Sequence, residues 1–280
     1  MTEQRAVPTG VGRTALGVAA ARARESLRSD RLFEDPLAAA FLAAAGWPGP
    51  EQRPAAPTGD PALGESMFHH LVIRTRFFDD RLLAAAADGC LQVVLTAAGL
   101  DTRAFRLPWP DGTALYEIDF PGMLDFKERV LAEQQARPLC RRTVLPADLR
   151  EDWGGRLVAA GFDPGARTVW LAEGLLIYLS PSETAGLLTE VGALSAPGSR
   201  LFFTHPVPDS TVVREVRTTP SMSGLATLWQ GGLDEDPSDW LARHGWQSER
   251  QDRAALAASY GRPGGSGSRG GFHSAVRLPG

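Results

Sequence analysis

The stretch Leu91-Gln92-Val93-Val94-Leu95-Thr96-Ala97-Ala98-Gly99 decides the fold. Residues 91–95 form a short apolar run with adjacent β-branched residues, and the run closes in a small-residue turn. That pattern reads as a buried strand entering a tight turn. Working downstream, residues 114–119 read as a second strand ending on an acid, and Pro121 opens a helix to about Gln135. Residues 142–146 give a weaker third strand, again followed by an acid, Asp148. Residues 168–172 and 200–204 are the fourth and fifth. Between them, Ser180-Pro181-Ser182-Glu183 is a capping box with proline at the first helical position, launching a helix through Leu187, Leu188, Val191 and Leu194. Strands alternating with helices predict an α/β fold with a mostly parallel sheet.

Upstream, the chain reads as helix. Thr14 caps an Ala-rich segment from Ala15 to about Leu27. Asp35 caps a second helix, with Pro36 at its first position and Leu37, Phe41 and Ala44 on one face until Gly46. Residues 47–63, rich in Pro, Gly and Ala, read as a loop, and residues 65–87 as a third helix lined by Met67, Leu71, Phe78 and Leu82. Beyond the fifth strand, Met222, Leu225, Leu228 and Trp229 fit one helix face. Residues 240–246 read as a short helix before a strand, 260–271 as a Gly-rich turn, and 272–278 as a last strand. The expected organisation is one domain over 1–280: a helical cap (1–88), a cofactor-binding core (89–205), an acceptor-side lid (206–245) and final strands (246–280).

Composition narrows the function classes. In 280 residues, 43% are hydrophobic and 22% charged, the proportions of an ordinary globular chain. A net charge of −4 disfavours nucleic acid as the main partner. Two cysteines build neither a disulfide framework nor a Cys-rich zinc site, and the five histidines show no metal-ligand spacing, so no metal is expected. Residues 1–13 show no secretory pattern, and no apolar run reaches a membrane span. A cytoplasmic protein without a membrane partner is therefore expected.

Gly99 allows close backbone approach to a ligand, and Asp119, 20 residues on, can accept ribose hydroxyl protons. The pair suits a nicotinamide dinucleotide as well as S-adenosylmethionine. It also suits a plain turn and a helix cap. The full G-x-G-x-x-G is missing, and so is any Tyr-x-x-x-Lys, Lys127 being the sole lysine; both disfavour a nicotinamide oxidoreductase.

The run Ala97-Ala98-Gly99-Leu100-Asp101-Thr102-Arg103, with Phe105-Arg106-Leu107, resembles the G-A-G-L-D-T-R…R-L block of the leucine carboxyl methyltransferase family. Further blocks match in order: Thr14-Ala15-Leu16, Arg22-Ala23-Arg24-Glu25-Ser26, Asp35-Pro36-Leu37, Arg74-Thr75-Arg76-Phe77-Phe78-Asp79-Asp80, Tyr116-Glu117-Ile118-Asp119, Ala147-Asp148-Leu149-Arg150 and Ala172-Glu173-Gly174-Leu175-Leu176-Ile177-Tyr178-Leu179. The resemblance spans roughly residues 14 to 205. It implies a class I methyltransferase sheet, Rossmann-like, with an antiparallel last strand and an N-terminal helical cap. The implied cofactor is S-adenosyl-L-methionine, released as S-adenosyl-L-homocysteine.

The resemblance also implies roles. Asp119, with Phe120 beside it, holds the ribose. Asp148 and Leu149 frame the adenine. Ala97, Gly99 and the adjoining backbone lie under the methionine part. Arg74, and Arg24 near it, meet the cofactor carboxylate, where a guanidinium fork suits two oxygens. Glu173 reaches the amino group and Tyr178 faces the methyl acceptor. Apart from the resemblance, His205 follows the fifth strand, where it either borders the acceptor site or is a buried structural histidine. Asp101 and Arg103 read as turn stabilisers. Ala97 departs from the family glycine, which bears on cofactor affinity and keeps a non-catalytic, cofactor-binding partner protein among the alternatives. The expected reaction is O-methylation, first of a small-molecule carboxylate. A peptide C-terminus is a second acceptor type, and a phenol or hydroxyl, with His205 as base, a third.

Overall fold

The computed structural model describes residues 10–47, 61–206, 227–264 and 271–280. Its strands are β1 (Gln92–Thr96), β2 (Ala114–Asp119), β3 (Arg141–Pro146), β4 (Thr168–Ala172), β5 (Arg200–Thr204), β6 (Trp246–Gln251) and β7 (Phe272–Arg277). They form one sheet in the order β3-β2-β1-β4-β5-β7-β6. The first five are parallel, while β7 runs antiparallel to both β5 and β6. This is the α/β arrangement expected. Strand order reverses between β1 and β4, so a crevice forms beyond their carboxyl ends.

Burial follows position in the sheet. Every residue of β1, β2 and β4 is buried, because helices cover both faces. Edge strand β3 keeps Arg141 exposed and Arg142, Thr143 and Val144 half-buried, which is why its apolar pattern is weaker. On one face, α6 (Gly154–Ala159), α7 (Pro181–Ala193) and α8 (Pro237–Arg243) pack Leu157, Leu187, Leu188, Trp240 and Leu241 against Val94, Tyr116, Trp170 and Phe203. On the other, α3 (Pro61–Ala87) sets Ile73, Phe77, Phe78 and Leu82 against Val93, Leu95, Leu171 and Phe202. A third cluster joins α1 (Gly12–Ser26) and α2 (Ala38–Ala44) to α5 (Pro121–Glu133) through Leu16, Phe41, Met123 and Phe126.

Several boundaries differ from expectation for local reasons. Thr14 does not cap α1. The helix begins at Gly12, and the Thr14 hydroxyl donates to Val11 O at 2.6 Å. Asp35 does cap: its Oδ1 accepts from Leu37 N and Ala38 N, 3.1 and 3.2 Å, although regular helix starts only at Ala38. Residues 61–63 belong to α3 rather than to the expected loop, whose residues 48–60 lie outside the described part. The capping box forms in full, Ser180 Oγ accepting from Glu183 N and Glu183 Oε2 from Ser180 N. Helix α8 starts at Pro237, where Asp236 caps it through Ser238 N, 2.8 Å. Met222 and Leu225 fall outside the described residues, and Leu228 lies in a turn rather than a helix. Two more helices, α4 (Arg103–Arg106) and α9 (Arg253–Ser259), and α6 carried no expectation.

Candidate active site

The turn after β1 is left-handed twice, at Ala97 (φ +54°) and Gly99 (φ +48°). Ala98 N bonds to Ile118 O, and Asp101 N to Ala98 O, so the turn closes on itself and on β2. A side chain at position 99 would place a Cβ 3.4 Å from the Ala15 Cβ, since the loop is pressed against α1. The left-handed backbone thus puts an L-residue at Ala97 under strain, at roughly 1–2 kcal/mol.

At the end of β2, Asp119 Oδ2 accepts from Gly99 N at 2.6 Å and Oδ1 from Phe120 N at 2.7 Å. Two backbone donors thus fix the carboxylate, and each oxygen keeps a lone pair for a ligand hydroxyl. Asp119 is 8% exposed, and burial raises its pKa despite those donors. The neighbouring Phe120 ring stands 49% exposed at the rim. Arg150 lies 6.0 Å from that ring's centre and grips Asp148 with Nη2–Oδ2 2.6 Å and Nε–Oδ1 2.9 Å. These bonds lower the Asp148 pKa. Leu149 packs against the core below. Gly99, Asp119, Phe120, Asp148 and Leu149 therefore meet at the carboxyl ends of β1, β2 and β3.

Glu173, just past β4, meets Arg74 of α3: Arg74 Nε donates to Oε1 at 2.7 Å. The other oxygen, Oε2, is 2.8 Å from Arg103 Nη1. Arg103 also bonds Asp79 Oδ1 through Nε, 2.7 Å, and pairs with Asp101. Arg106 takes the same Asp79 through two bonds, 2.6 and 2.9 Å. Burial alone would raise the Glu173 carboxyl, but Arg103 and Arg74 bring it below its ordinary value. The cluster continues into the cap. Arg106 Nε reaches Thr102 Oγ1 (3.2 Å), Thr102 donates to Asp35 (2.7 Å), and Arg22 bridges Asp35 (2.7 Å) and Leu100 O (2.6 Å).

Arg24 stands apart from the Arg74–Glu173 pair. Its Nη2 donates to both oxygens of Glu65, 2.8 and 3.0 Å, and its guanidinium lies 3.9 Å from the Phe68 ring centre. Tyr178 ends a single 3₁₀ turn (Leu176–Tyr178) and is half-buried, its backbone O held by Gln230 Nε2 at 2.9 Å. His205 follows β5 and is buried; its Nε2 accepts from Leu233 N at 3.0 Å. With that lone pair used, the neutral ring carries its proton on Nδ1 and has no free base position. Burial also lowers its pKa.

What sequence reasoning missed is the surround of Glu173. Asp79 comes from α3 and Arg103 and Arg106 from α4, and the available signal was that all three stand in the matched motif blocks, which gave no sign that they converge. Among the described residues no group of three or more His, Cys, Asp or Glu is arranged to hold a metal ion. Among them, too, no helix is long and apolar enough to cross a membrane.

The leucine carboxyl methyltransferase family model matches residues 15–192. A protein of Parafrankia sp. (strain EAN1pec), named "Putative S-adenosyl-L-methionine-dependent methyltransferase", is 51% identical over 255 residues, covering 91% of this chain and 82% of that one. One of the same name from Frankia alni is 52% identical over 264 residues, covering 94% and 92%. In structure, the chain is similar to a crystal structure titled "putative methyltransferase" from Thermobifida fusca, with TM-score 0.55, 18% identity and 91% and 96% of the two chains covered.

Proposed function

Since the chain belongs to the leucine carboxyl methyltransferase family and is an S-adenosyl-L-methionine-dependent methyltransferase of class I, Rossmann-like fold, we propose that it methylates an oxygen, specifically a carboxylate of a small molecule.

The residues present fit the cofactor. Asp119, fixed by two backbone N–H groups, offers its remaining lone pairs to ribose hydroxyls. Phe120 offers an exposed apolar ring beside Asp148 and Leu149, where an adenine would lie. Arg74 and Glu173, side by side with opposite charges, complement an amino-acid zwitterion: the guanidinium takes the carboxylate and Glu173 the ammonium. Arg24, held by Glu65 outside the Arg74–Glu173 pair, is given no part in holding that end. The turn at Ala97 keeps its hydrogen bonds despite the departure from glycine. A bound sulfonium supplies an electrophilic methyl carbon. The protein's work is then to align the acceptor oxygen with that carbon and to exclude water.

The observation that carries the carboxylate reading is the hydrogen bond from Leu233 N to His205 Nε2. The expected base on the acceptor side has its lone pair taken, so an acceptor that needs no base is favoured. A carboxylate, with a pKa near ~4, is already ionised at neutral pH, whereas a phenol near ~10 is not. His205 then supports the 232–233 backbone, and Tyr178 is the side chain assigned to the acceptor.

The test is an acceptor panel of aliphatic and aromatic acids, phenols and a short peptide, read by mass spectrometry and by alkaline treatment of the product. Methyl esters release methanol in base, and turnover of an acid should be nearly flat from about pH 6 to pH 9. A base-stable methyl ether from a phenol, with no acid turned over, would overturn the reading.

A further inference from the structure

We propose that Arg103 is a positioning residue for the amino-acid end of the cofactor and acts through Glu173. The inference rests on the reading of Arg74 and Glu173 given above. Arg103 is 2% exposed, and three carboxylates from three places in the chain converge on its guanidinium: Asp79 of α3, Asp101 of the turn and Glu173 beyond β4. Its removal would not affect them equally. Asp79 keeps two bonds from Arg106. Asp101 keeps the backbone N–H of residue 103, 2.7 Å from Oδ1. Glu173 keeps Arg74 on Oε1, but Oε2 loses its partner.

Two consequences follow for Glu173. Its carboxylate plane is set by one arginine at each oxygen, so with Arg103 gone it pivots about the Arg74 bond. Where the replacement also removes the charge, Glu173 faces Asp101 without the cation that separates them, and a like charge nearby favours protonation. A protonated or rotated Glu173 is a poor partner for an ammonium group. The guanidinium fork explains the choice of residue. It meets Asp79 through Nε and Glu173 through Nη1, two directions that one ammonium point charge does not serve together.

Calorimetric titration tests the idea with S-adenosylhomocysteine and with 5′-methylthioadenosine, which keeps the nucleoside and the thioether but lacks the amino-acid end. Arg103→Lys should weaken binding of the first about tenfold or more and leave the second within about twofold. Arg106→Lys, in the same buried cluster but not touching Glu173, should leave the ratio of the two affinities as in the wild type. Equal losses for both ligands in Arg103→Lys would overturn the inference in favour of a purely structural role. A wild-type protein that binds both ligands equally would overturn the Arg74–Glu173 reading instead, and the inference with it. If Arg103→Lys does not fold, the charge-balanced Arg103→Met/Glu173→Gln serves. It should bind S-adenosylhomocysteine as Glu173→Gln does alone, and a further tenfold loss would overturn the inference.

Discussion

Ala97 holds a backbone angle, φ +54°, that an L-residue reaches only under strain. The departure from the family glycine was legible in the sequence. Its physical meaning was not, because nothing local shows that the position is left-handed. Replacing it by glycine relieves roughly 1–2 kcal/mol of strain, while the freer unfolded chain takes back about 0.4–1 kcal/mol. Ala97→Gly is therefore expected to be stabilising by about 0.5–1 kcal/mol in urea titration, and Ala97→Val destabilising, since β-branching makes the left-handed region harder to reach. A neutral or destabilised glycine variant would mean that the turn is not strained here. Asp119 and Gly99 were legible because one ends a strand and the other a turn. Glu173 was legible only through its motif. Its partners Arg74 and Arg103 lie 99 and 70 positions upstream, and no periodicity connects residues so far apart.

Elements were legible in proportion to how much local chemistry defines them. β2, β4 and β5 fall where apolar runs predict, and α7 starts at its capping box. The helices that carried no expectation, α4, α6 and α9, have 4, 6 and 7 residues. Two turns or fewer give no repeat of an apolar face, so no period is there to read. Where a cap was read, it can be weighed. Ser180→Ala removes the acceptor for Glu183 N and should destabilise by about 1 kcal/mol. Because Ser180 lies two residues after Tyr178, the acceptor KM of the same variant shows whether the cap also holds the 3₁₀ turn in place. Lost stability with an unchanged KM confines the cap to α7, whereas no loss of stability would contradict the role assigned to the box.

At the scale of the molecule, the helical cap is joined to the sheet by apolar packing and by buried charge. Leu16, Phe41 and Phe126 supply the first. The second runs from Arg22 through Asp35 and Thr102 to Arg106 and Asp79, and so to Arg103 and Glu173. Burial would raise the Asp35 carboxyl, but Arg22 and Arg106 beside it hold it below its ordinary 3.8. A carboxylate held lower in the folded than in the unfolded state contributes stability that is complete above about pH 4–5. That contribution disappears as the pH falls through the folded value. Asp35→Asn leaves the Arg22 guanidinium buried without its counter-charge, which costs about 3–5 kcal/mol at neutral pH. The gap between wild type and variant should therefore be widest near pH 7 and narrow steadily below pH 4, measured by urea unfolding at each pH with tryptophan fluorescence. A gap that stays constant down to pH 3 would show that Asp35 acts through shape and hydrogen bonding rather than charge. The cap would then be held on the sheet by its apolar contacts, and charge would serve only to orient the residues around Glu173.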